Sequence, residues 1–259
     1  MKQPSFIICG IEHSGTTLIS DIFRQVPNCE SGFEVGLLLF DSPRHYFVEM
    51  NNPWRDHIQG GWGIDYEELK HACDTDSNEV FYDRLITASS IVKETDTIFF
   101  DKTPRYLMRI RQVMKKMDIP IIVLYKDPRA IVFSNWKRRK LDLPFIPWLE
   151  VNKEKQYIRK CFRNIANIQK NPNSPCLVAS LEEIGASPVE TVGKMFEHVG
   201  IEFKEEYLRI GSSRYAQTKG NEINPSLPFE YKTALSAEEQ DALTQQLTEL
   251  GLSDFFIKE

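Results

Sequence analysis

Four short apolar runs, each closed by a polar turn and followed by residues at helical spacing, constrain this chain most. "IIVLY" (Ile121–Tyr125) is the clearest. It is apolar without alternation, so both faces are covered, as in a parallel strand. The turn and helix of "KDPRAIVFSNWKRRK" follow it. "SFIICG" (Ser5–Gly10) leads into Leu18, Ile19, Ile22, Phe23 and Val26, which predict a helix from near Gly15 that stops before Pro27. "DTIFFDKTP" (Asp96–Pro104) leads into a helix marked by Leu107, Ile110, Met114 and Met117. "PCLVAS" (Pro175–Ser180) leads into one marked by Val192, Met195, Phe196 and Val199. A further helix carries Tyr157, Cys161, Ile165 and Ile168, and a capping box of Ser236 and Glu239 opens the last. Strands alternating with helices predict one α/β domain over residues 1–259, three layers deep, with a central, mostly parallel sheet flanked by helices.

The alternation breaks between residues 34 and 95. "PRHYFVEMNNPWRDHIQGGWGID" (Pro43–Asp65) is rich in aromatics, Pro and Gly and reads as an irregular or helical insertion on the substrate side. Its aromatics Tyr46, Phe47, Trp54, Trp62 and Tyr66 could stack on a sugar, hold an apolar alcohol, or simply cover the sheet. A net charge of −5 gives no bulk attraction to nucleic acid or an anionic membrane, so any anion must be held by local groups. No run approaches the ~20 apolar residues of a membrane span. The strand-like run begins right after Met1-Lys2-Gln3-Pro4, so no signal peptide is expected. Five scattered cysteines without a metal-like spacing fit free thiols in a reducing compartment, so a cytoplasmic location is expected.

"CGIEHSGTTL" (Cys9–Leu18) has the skeleton of a phosphate loop, Gly10 and Gly15 with four residues between them, placed between strand and helix. Glycine permits the tight turn, and backbone N–H groups at the helix start would face an anion, with hydroxyls of Ser14, Thr16 and Thr17 as further donors. The Lys that reaches β,γ-phosphates in nucleotide loops is replaced by Thr16. A second anion site is suggested by Lys126, Arg129 and Ser134 at the end of the IIVLY strand, the sheet edge where ligands bind in open α/β folds. Two anion sites on separate strand ends suit a ligand with two separated anionic groups.

Together "HSGTTL" and "KDPRAIVFS" resemble the two signature motifs of sulfotransferases that use 3′-phosphoadenosine-5′-phosphosulfate (PAPS), in the same order and context. The layout is most similar to the tyrosylprotein and carbohydrate branches. "DKTPRYL" and "VASLEEIGASPVETVGKMFEHVGI" resemble further family segments, so the likeness covers most of the chain. It implies a P-loop NTPase-like fold, with the 5′-phosphosulfate at His13, Ser14, Gly15, Thr16, Thr17 and Leu18 and the 3′-phosphate at Arg129 and Ser134. Tyrosine-sulfating members carry a Glu about twenty residues past the loop's basic residue, and the ungapped count lands on Glu34, the expected general base, with Glu30 in reserve. Small-molecule members use a His, for which His45 and His57 are available. Lys102 falls where the family has a Lys near the bridging oxygen, although an Asp101–Lys102 ion pair is the alternative. Lys219 falls where the family has a late loop that covers the donor, and "KRRK" (Lys137–Lys140) is either a solvated face or a steering patch.

The chain departs from the family at His13, where Arg or Lys is usual, at Lys126 for Arg, and at Ser180 for Tyr. A neutral imidazole donates a hydrogen bond but no full charge; an adjacent phosphosulfate favours its protonation. The expected reaction moves a sulfuryl group from PAPS to a small-molecule or glycan hydroxyl and releases 3′-phosphoadenosine-5′-phosphate (PAP), with no metal. The rival readings are a P-loop kinase or NTPase and a PAPS/PAP-binding protein without chemistry.

Overall fold

The computed structural model describes residues 2–92, 98–139, 143–152, 154–210 and 222–257. The chain runs β1 (Phe6–Gly10), α1 (Thr16–Phe23) and β2 (Cys29–Glu30), then four helices, α2 (Pro43–Glu49), α3 (Asn52–Trp62), α4 (Tyr66–Cys73) and α5 (Asn78–Ala88). It continues with β3 (Ile98–Lys102), α6 (Ile110–Lys116), β4 (Ile121–Tyr125), α7 (Pro128–Arg139), α8 (Phe145–Val151) and α9 (Lys155–Gln169). β5 (Cys176–Ser180), α10 (Leu181–Ala186), α11 (Pro188–His198), α12 (Glu230–Ala234) and α13 (Ala237–Glu249) complete it. The strands lie in the order β2-β3-β1-β4-β5. Every pairing is parallel, with Ile8 opposite Lys102 and Ile122, and Gly10 opposite Leu124.

Strand periodicity explains the three layers. Successive residues point to opposite faces, and all of β1 is buried. Ile7 and Cys9 enter one core with Ile121, Val123 and the α9 residues Cys161, Phe162 and Ile165. Phe6 and Ile8 enter the other with Leu18, Ile22 and Phe23 of α1 and Val192, Met195 and Phe196 of α11. There Phe23 stacks on Phe196 at 4.3 Å between centroids, and Phe6 stacks on Phe100 at 5.0 Å. Truncating such a buried ring to Ala costs about 3–5 kcal/mol.

The four expected strands are present. The fifth, β2, has two residues, too short to leave a periodic signal. Within the stretch from 34 to 95, α2 to α5 are helical and pack on the Ile7/Cys9 side. Two of its aromatics belong to the core and not to a binding surface. Tyr46 donates to the Val35 carbonyl at 2.6 Å, and Trp62 Nε1 donates to that of Phe33 at 2.8 Å.

Candidate active site

The loop after β1 is shaped by two glycines for different reasons. A Cβ on Gly10 would lie 2.2 Å from the Leu124 carbonyl oxygen, so the close approach of β1 to β4 requires glycine there. Gly15 takes the left-handed region (φ 87°) and caps α1, with no side chain among the described residues bonded to the helix's first N–H groups and no acid in its first turn. The positive end of the helix dipole therefore carries no side-chain cap, an arrangement that can accept an anion. Ser14 differs from expectation. Its hydroxyl is fully buried against the carbonyls of Ile11 and, at 3.1 Å, Leu124, so it braces the loop instead of facing a ligand. Thr16 is buried and Thr17 half-buried, while the Leu18 side chain is core, leaving its backbone as the part near the loop.

His13 also adopts a left-handed backbone (φ 71°). Its Nδ1 lies 3.0 Å from Arg138 Nη1 of α7. Burial, with Arg138 and Lys126 acting in the same direction and Glu12 against them, lowers His13 to about 4. The imidazole is thus neutral at physiological pH in the absence of a ligand.

β3 ends at Lys102, whose Nζ donates to Glu34 Oε1 at 2.6 Å, both side chains being largely buried. The Asp101–Lys102 pair is not what forms, because neighbours on a strand point to opposite faces. Asp101 turns into the core instead. Its carboxylate accepts from Tyr82 and Tyr106 hydroxyls at 2.7 Å each and from Thr103 Oγ1 at 2.8 Å. Burial raises the Asp101 pKa, and these hydroxyl donors oppose the rise. Thr103 Oγ1 in turn accepts from the Gly36 N–H at 3.2 Å, and the Tyr106 hydroxyl from that of Leu38 at 3.4 Å. The buried acid therefore anchors the backbone just after Glu34. Glu30 is committed elsewhere, to Arg24 at 2.7 Å. His45 and His57 are exposed, with His45 between Asp41 and Glu49 and His57 against Phe33.

The second expected anion site is arranged differently. Ser134 Oγ meets Lys126 Nζ, at 2.7 Å, and Lys126 is buried. Arg129 instead presents its fork to Asp127, at 2.9 and 2.5 Å, and also donates to the Ile257 carbonyl. Its guanidinium lies over the rings of Phe256 and Tyr231. Five residues along one helix turn through roughly 140°, so Arg129 and Ser134 leave α7 on different sides. Ser180 caps α10 in a reciprocal box with Glu183, which accounts for a small hydroxyl there. Lys219 lies outside the described residues.

The loop, Lys102 and Lys126 stand at the C-terminal ends of β1, β3 and β4, which are neighbours in the sheet. The spacing of the motifs signalled this edge. Arg138 is legible in the sequence only as part of the KRRK run, and the Asp101–Tyr82–Tyr106 cluster not at all; the strand phase of Asp101 and the helical phase of Arg138 relative to Ser134 are the available signals. Among the described residues no group of three or more His, Cys, Asp or Glu is arranged to hold a metal ion, and no helix is long and apolar enough to cross a membrane.

A parallel sheet whose strand ends carry a glycine loop and a lysine–serine pair defines an α/β protein of the P-loop-like kind. The chain belongs to the sulfotransferase family, whose model matches residues 4–205. It is similar in fold to the sulfotransferase domain from the curacin biosynthetic pathway (TM-score 0.61, 18% identity, covering 96% of this chain and 99% of that one). The sulfotransferase domain of the Synechococcus PCC 7002 olefin synthase is similar too (TM-score 0.63, 16% identity, 95% and 94%). So is mouse sulfotransferase SULT7A1, whose structure is a complex with PAP (TM-score 0.55, 11% identity, 96% and 85%). No curated protein sequence matches the chain.

Proposed function

We propose that this protein transfers a sulfuryl group from PAPS to the hydroxyl of a small molecule or glycan and releases PAP. The observation that carries the reading is the pairing of two anion-binding points on adjacent strand ends: the uncapped Gly15 loop after β1 and the Lys126–Ser134 pair after β4. PAPS has two such groups, a 5′-phosphosulfate for the loop (His13 to Leu18) and a 3′-phosphate. Lys126 and Ser134 take the 3′-phosphate in place of Arg129, whose fork is occupied by Asp127. The PAP complex of the mouse relative supports the donor class.

Glu34 accepts the acceptor's proton as its oxygen attacks sulfur, and the S–O bond to the phosphate breaks with the electron pair leaving on PAP. Lys102, hydrogen-bonded to Glu34, is placed to neutralise charge growing on that departing oxygen. Thr16 in the nucleotide-loop Lys position disfavours a kinase or NTPase.

Calorimetry with PAP and with ATP–Mg²⁺, followed by PAP release across a panel of hydroxyl acceptors, tests the proposal. Micromolar PAP binding with acceptor-dependent PAP release is expected. Preference for ATP–Mg²⁺ overturns the donor assignment. PAP binding without turnover on any acceptor, even with PAPS saturating, favours a non-catalytic binder.

A further inference from the structure

The charge that the family motif carries at position 13 is missing from a neutral imidazole, and α7 offers a replacement. Lys126 fixes which face of α7 turns to the strand ends, because it bonds Ser134. Arg138 is one helical turn beyond Ser134, so it lies on that same face. Its two neighbours point to either side and are neutralised: Lys137 pairs with Glu230 and Arg139 with Glu154. Among the described residues no carboxylate pairs with Arg138, whose guanidinium ends instead at His13. A guanidinium can only donate, so His13 Nδ1 must accept, and the ring proton sits on Nε2.

We propose that Arg138 supplies the loop's cation from α7, binding the donor's 5′ group, while His13, oriented by that guanidinium, serves as a neutral Nε2–H donor. The assignment rests on the PAPS reading above. It replaces protonation of His13 as the source of charge, and the lowered pKa of the ring agrees with it. The charged groups around His13 are Arg138 from α7, Lys126 from the turn after β4, and Glu12 beside it in the loop. Glu12 is held by Arg105 at 2.9 Å. With the ring neutral, donor affinity has no His13 titration between pH 6 and 9.

The test compares PAP with adenosine 3′-monophosphate, which lacks the 5′ group, by calorimetry on wild type, Arg138→Ala, Arg138→Lys and Lys126→Ala. Arg138→Ala should weaken PAP by about tenfold or more while leaving adenosine 3′-monophosphate unchanged, and Arg138→Lys should recover part of the loss. Lys126→Ala should weaken both ligands. Arg138 is exposed, so its variants are expected to fold, and unchanged thermal unfolding verifies this. Equal losses on both ligands, or none, overturn the Arg138 assignment. So does PAP affinity in wild type that falls as pH rises from 6 to 9 and becomes flat in His13→Ala. A wild type that binds neither ligand overturns the PAPS reading itself.

Discussion

Replacing Glu34 with Gln separates its chemical role from its structural one. The amide has the same shape, and its oxygen can still accept from Lys102 Nζ, which now lies 2.6 Å from the carboxylate. What disappears is the ability to take a proton. Loss of a general base costs about 10²- to 10⁴-fold in rate, or roughly 2.7–5.4 kcal/mol of barrier. The stability cost is smaller. Glu34 and Lys102 are 22% and 11% exposed, and the substitution turns a charge-assisted hydrogen bond into a neutral one, a change of about 1 kcal/mol. Against a typical reserve of about 5–15 kcal/mol the variant stays folded. Donor affinity should hold or rise, because a negative charge has been removed beside a polyanion.

The assay is PAP release at saturating donor and acceptor, using an acceptor that supports wild-type turnover, with thermal unfolding and PAP calorimetry on the same preparation. Lys102→Met should also lower kcat, and the double variant should lose less than the product of the two single losses, since each residue holds the other and both serve one step. A folded Glu34→Gln with kcat within about threefold of wild type removes Glu34 as the base. Multiplicative losses refute the coupling that the 2.6 Å contact implies.

Arg129→Ala should cost about 3 kcal/mol of stability, because it removes the cation paired with the buried Asp127 carboxylate and leaves, among the described residues, only the backbone N–H groups of residue 129 and Ile257 to hold it. Its PAP affinity should stay near wild type, whereas Lys126→Ala should lose affinity; denaturant melts and calorimetry giving the reverse pattern overturn the Lys126–Ser134 assignment. Asp101→Asn should loosen the hydroxyl cluster that holds Thr103 and, through it, the Gly36 N–H. Faster hydrogen exchange at Gly36 together with a lower kcat is expected, and unchanged exchange refutes the anchoring role. Glu182 is buried with Oε2 unpartnered among the described residues, and burial raises it from an ordinary 4.5 to about 7, against hydrogen bonds from backbone N–H groups. The folded state thus keeps a proton the unfolded chain releases, so stability should fall as pH rises from about 4.5 to 7 and level off above. Glu182→Gln should remove a slope worth on the order of 3 kcal/mol, which urea melts across that range measure.

The architecture was readable because β1 and β4 are buried on both faces and so cannot disguise their type; β2, two residues long, had no period to read. The site was readable to the extent that a motif fixes backbone. Gly10 and Gly15 define the loop, and strand ends place Lys102 and Lys126 beside it. Side-chain direction on α7 was the harder quantity, because it depends on phase relative to a partner elsewhere in the chain. Arg129 precedes Ser134 by five positions, a separation that a helix turns apart, while Arg138 follows Ser134 by four, a separation that a helix aligns. Lys126 lies before the helix begins, so its reach to Ser134 depends on the turn at Asp127 and Pro128 and not on helical phase. Counting phase from Ser134, instead of from the most phosphate-like side chain in the motif, sets Arg129 to another side of α7 and brings Arg138 to the loop. If Arg138 serves as proposed, the same count gives a reason for the histidine at position 13: the guanidinium reaches it from the helix, 3.0 Å away.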